Sequence, residues 1–482
     1  MTAASSEVER PGARQGGPAA ILAIILISYF MILLDNSVIF TGLPSIRSGL
    51  DLSTTGLSWV QDAYTLVFGG LLLLGARAGD IVGRRRLFTI GLAIFGTASL
   101  LIGLSPSGSW MIAGRALQGV GAAIVAPTSL ALITANFEGE QRNRAVAWYA
   151  ATAGIGASLG LLVGGALTDL VSWRAAFLVN VPIAAAMIVG ARTVLVETLP
   201  RRGRFDAVGA LLATFGTGAL VFGFIESAER GWSSGQVVGV LTVGVVLLAA
   251  LVANEAGAPQ PIMPLRLFRS RERSGAYAAR MLYLGAMIGF FYFTTQLMQD
   301  ALGLTPLQAG LGFLPMSLVN FVVALAIPRL STRIPNAVLL VGGTALTLAG
   351  MVWLSRAGVG ESYVASIALP MILVGAGQGL AFAPLTNAGL AGVAPADAGA
   401  ASGLVNTAHQ LGMALGLAIL VSVSARAGAD LDGAAAVAEH VRTALTGSSV
   451  LLVLALLVTV VLILPRRRPG PVGQVPDPVR SA

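Results

Sequence analysis

"AAILAIILISYFMILLDNSVIFT" (19–41) is an apolar run with one aspartate, Asp35, far from either end. A helix needs roughly 20 mostly apolar residues to cross a bilayer, and this stretch meets that length. It decides the fold class because runs like it recur to the end of the chain. They lie at 57–77, 87–104, 110–135, 145–168, 174–196, 206–226, 235–254, 275–299, 308–329, 337–355, 362–386, 399–424 and 448–464, which gives fourteen spans. Of 482 residues, 55% are hydrophobic and only 11% charged, and the mean hydropathy is +0.82. That is too apolar for a protein that buries its hydrophobic residues away from water. The sequence predicts an all-α integral membrane protein with the lipid bilayer as its surroundings.

The first 18 residues are polar and rich in Gly and Pro, and the run after them is longer than a signal-peptide core. It reads as a retained first span. Short basic loops stay on the cytoplasmic side. The stretches "GRRR" (83–86), "EGEQRNR" (138–144), "PRRGR" (200–204), "RLFRSRER" (266–273), "PRLSTR" (328–333) and "PRRRPG" (465–470) share one face in the fourteen-span reading. Both termini are expected in the cytoplasm, and the protein in the cell (inner) membrane.

The net charge of +8 is explained by these loops, so no nucleic-acid partner is expected. Every basic residue is arginine, which excludes a phosphate loop of the GxxxxGK[ST] type and pumping driven through it. With no cysteine and two histidines, neither a thiolate metal site nor a redox or zinc enzyme is expected, and no cofactor is implied.

The loop after the second span, "GARAGDIVGRRR" (75–86), has a faint counterpart after the tenth, "AIPRLSTRIPN" (326–336). Two six-span halves separated by an extra pair would account for it, and repeated halves are common in secondary transporters. The order and spacing of "LDNSVIFTGLP" (34–44), "WVQDAYTLVFGGLLLLGARAGDIVGRRRLF" (59–88), "GRALQGVGAAIVAP" (114–127), "WRAAFLVNVP" (173–182), "PLRLF" (264–268), "LGLTPLQAGLGFLP" (302–315) and "AGAASGLVNTAHQLGMALGLAIL" (398–420) resemble the major facilitator superfamily, in its fourteen-span drug:proton antiporter branch. The resemblance implies a cytoplasmic tail (1–18), a six-helix bundle (19–200), two additional helices (201–260), a second six-helix bundle (261–464) and a cytoplasmic C-terminal tail (465–482).

At 1.5 Å per residue, Asp35 lies about 20 Å into its span, while Asp62 and Arg115, on spans of opposite direction, lie roughly 8 Å below the outer face. The three charges share one layer, where an unpaired charge costs several kcal/mol, so they are expected to face the interior and interact. A carboxyl holds its proton more tightly when desolvated and less tightly beside an arginine, so a moving arginine would switch it. An ion pair that only fixes packing is the plainer alternative. The resemblance assigns the proton-coupling roles to Asp35, Asp62 and Arg115. It also makes the loop's Asp80, Gly83 and Arg84 a conformational latch, although topology alone would place arginine there.

Gly156, Gly160 and Gly164 recur four apart on the fifth span, a spacing that brings two helices close. Leu161 stands where the family's exporters carry a proline. Tyr292, Gln296 and Gln299 share a face of span 9, and Asn406, His409 and Gln410 a face of span 13. Aromatic and amide groups suit large apolar ligands with scattered polarity, though such groups also tie helices together. The expected function is proton-coupled efflux of amphipathic, cationic drugs or antibiotics, with the drug and protons as partners. The alternatives are a transporter dedicated to one metabolite or nutrient, and a non-transporting sensor or scaffold.

Overall fold

Sequence signals at the helix starts explain where the membrane runs begin. Ser53, Ser107, Asp206 and Ser270 each accept a backbone N–H of the first turn, and Thr305 forms a reciprocal box with Gln308. The structure, a computed structural model, describes residues 17–198, 206–394 and 397–464. The tails and the basic stretches 200–204 and 465–470 lie outside the described residues.

The helices are α1 (Pro18–Gly49), α2 (Thr54–Val82), α3 (Arg84–Gly103), α4 (Gly108–Asn136), α5 (Gly139–Leu170), α6 (Trp173–Leu178), α7 (Asn180–Val194), α8 (Ala207–Arg230), α9 (Gly235–Gly257), α10 (Arg271–Gln296), α11 (Pro306–Gly312), α12 (Leu314–Leu330), α13 (Asn336–Leu354), α14 (Leu369–Gly389), α15 (Ala398–Ser424) and α16 (Gly433–Val458). Thirteen stretches among the described residues are long and apolar enough to cross a membrane, α6 with α7 and α11 with α12 each making one. The remaining expected span, the fifth, lies in α5. That helix has 32 residues, but its described apolar stretch is only Leu159–Leu170, so the count of fourteen is not reached.

Two boundaries move outward. α1 continues past Thr41 through Pro44 to Gly49, and the last helix starts at Gly433 rather than at 448. Both additions contain polar groups that the hydropathy reading cut away. In the structure both stretches are helical, and His440 of the second packs its ring on Phe293 of α10.

α1 packs on α5, and α4 on α2 and α3. In the second half, α10 packs on α15 and α16, and α14 on α12 and α13. α8 and α9 form a pair beside these groups, with α8 touching both α2 and α15. The helices before α8 meet those after α9 chiefly along two seams, α2 with α15 and α5 with α11. Glycines make both seams close. A Cβ on Gly69 would stand 2.7 Å from that of Gln410, and one on Gly165 would stand 2.5 Å from the carbonyl oxygen of Pro306.

Candidate functional site

A carboxylate in the middle of an apolar helix needs partners, since an unpaired buried ion costs several kcal/mol. Asp35 has three. Arg115 of α4 donates from Nη1 to Oδ2 at 2.8 Å. Gln118, one turn on, donates to Oδ1 at 2.8 Å, and Asn180 at the start of α7 donates to the same oxygen at 2.7 Å. All four residues are fully buried.

The arginine is fixed as firmly as the acid. Nε donates to the Val60 carbonyl of α2 at 3.0 Å, and Nη1 also reaches Gln118 Oε1 at 2.6 Å. The Tyr64 ring lies 4.2 Å from the guanidinium carbon, a cation–π contact. Ser99 of α3 accepts from Gln118 at 2.9 Å. Five helices of the first half, α1, α2, α3, α4 and α7, therefore converge on one ion pair.

Asp62 does not join this network. Of the three charges expected to interact, directly or through water, Asp35 and Arg115 are in direct contact. Both carboxylate oxygens of Asp62 are buried without a hydrogen-bond partner, and so are both amide atoms of Gln61 and the hydroxyls of Tyr64 and Tyr292. Unsatisfied polar atoms of Gln61, Asp62 and Tyr64 thus lie on α2, whose Tyr64 ring covers Arg115.

The glycine-rich face of α5 lies on the other side of α1. Added Cβ atoms would stand 2.9 Å from Leu33 Cβ at Gly156, 2.5 Å from Ser37 Cβ at Gly160 and 2.7 Å from Val38 Cα at Gly164. These three glycines thus bring α5 against the stretch of α1 that carries Asp35. Leu161, beside them, is buried, and its carbonyl oxygen is 2.6 Å from a Cβ built on Gly310 of α11.

The turn between α2 and α3 is built on Gly83, whose φ of 104° lies in the left-handed region that favours glycine. Arg84 donates to the Ala131 carbonyl at 2.8 Å. The side chain of Asp80 lies outside the described residues. A partner not singled out in the sequence completes the turn: Glu197, beyond α7, accepts from the backbone N–H groups of Arg85 at 3.0 Å and Arg86 at 2.9 Å. A carboxylate on a helix N-terminus is favourable, and the pattern "VETLP" gives no local hint of it.

The two expected ligand clusters sit at different depths. Tyr292 and Gln296 are buried near the end of α10, and Gln299 donates to the Thr41 carbonyl of α1 at 2.9 Å. His409 lies beside Arg280, Asn406 is exposed and bonds back to Ser402, and Gln410 faces Gly69 of α2. Twelve residues of α10 separate Tyr292 from Arg280, so the clusters are about 18 Å apart along the helix. No cluster of three or more His, Cys, Asp or Glu residues able to hold a metal occurs among the described residues.

A family model described as Major Facilitator Superfamily matches residues 25–417. The chain belongs to this superfamily. It is 40% identical over 456 residues to the cephamycin export protein of Amycolatopsis lactamdurans, covering 93% of each chain. The puromycin resistance protein of Streptomyces alboniger is 39% identical, with 84% of this chain and 81% of that protein covered. The lincomycin resistance protein of Streptomyces lincolnensis is 34% identical, covering 89% and 90% respectively. Among solved structures, a bacterial homolog of the human lysosomal transporter Spinster, inward-facing and unoccupied, superposes with a TM-score of 0.67. It shares 15% identity over 94% of this chain and 99% of that one, a likeness of fold. As a major facilitator, the chain is a multi-span membrane transporter and not an enzyme.

Proposed function

We propose that this transporter exports amphipathic drugs or antibiotics across the cell membrane in exchange for protons, by alternating access. The observation that carries the reading is the fully buried Asp35 carboxylate, held by Arg115, Gln118 and Asn180. Relatives that span nearly the same length are named for antibiotic export and resistance. The Gly83 end, with the arginine-rich loops, faces the cytoplasm together with both termini. The Arg47 end faces outward.

In this mechanism a proton on Asp35 removes the anion that Arg115 faces. A buried guanidinium left without its counter-charge costs several kcal/mol, so protonation and a change in the α1–α4 contact become one event. The three α5 glycines hold α1 close against α5, beside the cluster of Val163 and Leu167 with Leu34 and Val38, so α1 and α5 shift together. Asp62, whose carboxylate oxygens have no partner among the described residues, serves as a second carrier or as the counter-charge of a cationic substrate. Asp80, Gly83 and Arg84 are the latch residues of the turn at the cytoplasmic end, where Glu197 holds the backbone of Arg85 and Arg86. The division into two six-helix bundles and an inserted pair belongs to the same proposal.

Inside-out vesicles with an acidic interior and a pH-sensitive dye test it. Several unrelated amphipathic drugs should trigger proton escape, and Asp35→Asn should abolish it with the protein still inserted. Undiminished escape in the variant would sink the assignment of Asp35. A response to one compound alone would favour a dedicated transporter.

A further inference from the structure

Among the described residues, Arg280 is the second buried arginine, and unlike Arg115 it has no acid beside it. It sits nine residues into α10 from the Gly83 end, about 14 Å along the helix, with 3% of its surface exposed. Nη1 donates to Thr386 Oγ1 of α14 at 2.9 Å, and Nη2 lies 3.3 Å from Nδ1 of His409 on α15. The Phe382 ring covers the guanidinium carbon at 4.6 Å and meets the His409 ring edge-on at 5.9 Å. Nε has no partner, and no carboxylate lies within ion-pair distance among the described residues.

Every partner of this cation is neutral. A hydroxyl, an imidazole and a ring face satisfy some donors but leave the charge uncompensated, and buried charges are ordinarily paired. The same chain shows the paired solution at Arg115. The surroundings of Arg280 also leave a way in: α14 and α15 both pack on α10 but scarcely on each other. Phe382 is 37% exposed and Asn406, one turn before His409, is exposed. A planar guanidinium with an unpartnered Nε suits a carboxylate or another anionic oxygen group.

We infer that Arg280, with Thr386, His409 and Phe382, forms a subsite for the anionic group of the transported compound. The inference rests on the exporter reading and narrows it: substrates include amphipathic carboxylates, among them zwitterions whose cationic part lies elsewhere in the molecule. Phe382 supplies the apolar surface beside the anion, and Asn406 an amide at the mouth. An anionic lipid headgroup presents the same chemistry and is the competing occupant.

Xanthene dyes separate these cases, because one with a free carboxylate and its methyl ester share the same cationic ring system. Binding of both dyes is measured by fluorescence anisotropy with the full chain in nanodiscs, for the wild type, Arg280→Gln and Arg280→Lys. One set of discs contains phosphatidylcholine alone and a second adds phosphatidylglycerol. The expected result is a wild-type preference for the carboxylate over the ester that falls about tenfold in Arg280→Gln, the order of one charge-assisted hydrogen bond. Arg280→Lys, which keeps the charge, should retain part of the preference. A preference equal in wild type and Arg280→Gln overturns the inference, and so does a wild type that binds neither dye. A preference abolished by phosphatidylglycerol in the wild type reassigns the subsite to a lipid headgroup. The vesicle assay with neutral drugs still reports on proton-linked export, so failure here and failure of the exporter reading are told apart.

Discussion

Asp35 and Asn180 are 145 residues apart, yet the amide of Asn180 lies 2.7 Å from the carboxylate. A hydrogen bond to a charged group is worth about 1.5–3 kcal/mol, so Asn180 helps set how readily Asp35 gives up its negative charge. Asn180→Leu removes that donor. Proton-linked export should then reach half-maximal rate at a pH shifted upward relative to wild type, because the anion loses a stabilising partner while the neutral form loses less. A pH profile in vesicles measures this, and an unshifted profile would make Asn180 a packing residue only. The sequence placed Asp35 and Arg115 in one layer because a charge inside an apolar run is conspicuous. Asn180 was hidden in "WRAAFLVNVP", where an amide near the end of a span looks interfacial. Arg280 was hidden for a related reason: it follows the basic loop "RLFRSRER" closely enough to pass for another topological arginine.

At the scale of elements, α1 and α5 touch closely through glycines, beside an apolar cluster of Val163 and Leu167 with Phe30, Leu34 and Val38. A Cβ at position 160 alone would stand 2.5 Å from Ser37 Cβ and 2.9 Å from the Leu34 carbonyl oxygen. Gly160→Leu therefore forces the helices apart next to Asp35. Overpacking of this kind typically costs about 1–3 kcal/mol, and both the melting temperature and proton-linked export should fall. Gly239→Leu and Gly342→Leu provide the control, since nothing lies within 4 Å of a Cβ at either position. If all three variants melt and transport alike, close α1–α5 contact has no part in the mechanism. The glycine spacing was legible in the sequence, but the partner helix was not, because a stripe of small residues names no neighbour. The linker after α9 was equally silent. There Arg266 forms a fork on Asp397 at 2.8 and 2.5 Å and holds its carboxyl below the usual carboxylate range. This strap, outside the spans, consequently stays ionised at neutral and mildly acid pH.

Across the whole molecule, several polar ties between the helices before α8 and those after α9 lie at the Arg47 end. Thr305 donates to Asp169 at 2.7 Å, Gln299 reaches the Thr41 carbonyl, and Arg47 lies 3.7 Å from Asp300. The Arg47–Asp300 pair is partly exposed and contributes little by itself. The backbone contacts of Gly165 with Pro306 and of Gly310 with Leu161 close the same end more firmly. Alternating access requires this end to part in every cycle. The chain has no cysteine, so a pair introduced by Asp169→Cys and Thr305→Cys would carry its only thiols. A short thiol-specific bifunctional reagent should join them and stop proton-linked export. A cleavable version of the reagent should restore export on reduction, while either single variant treated the same way keeps its activity. Full export from a molecule joined at this point would show that the Arg47 end does not open during transport, and alternating access about this seam would have to be abandoned.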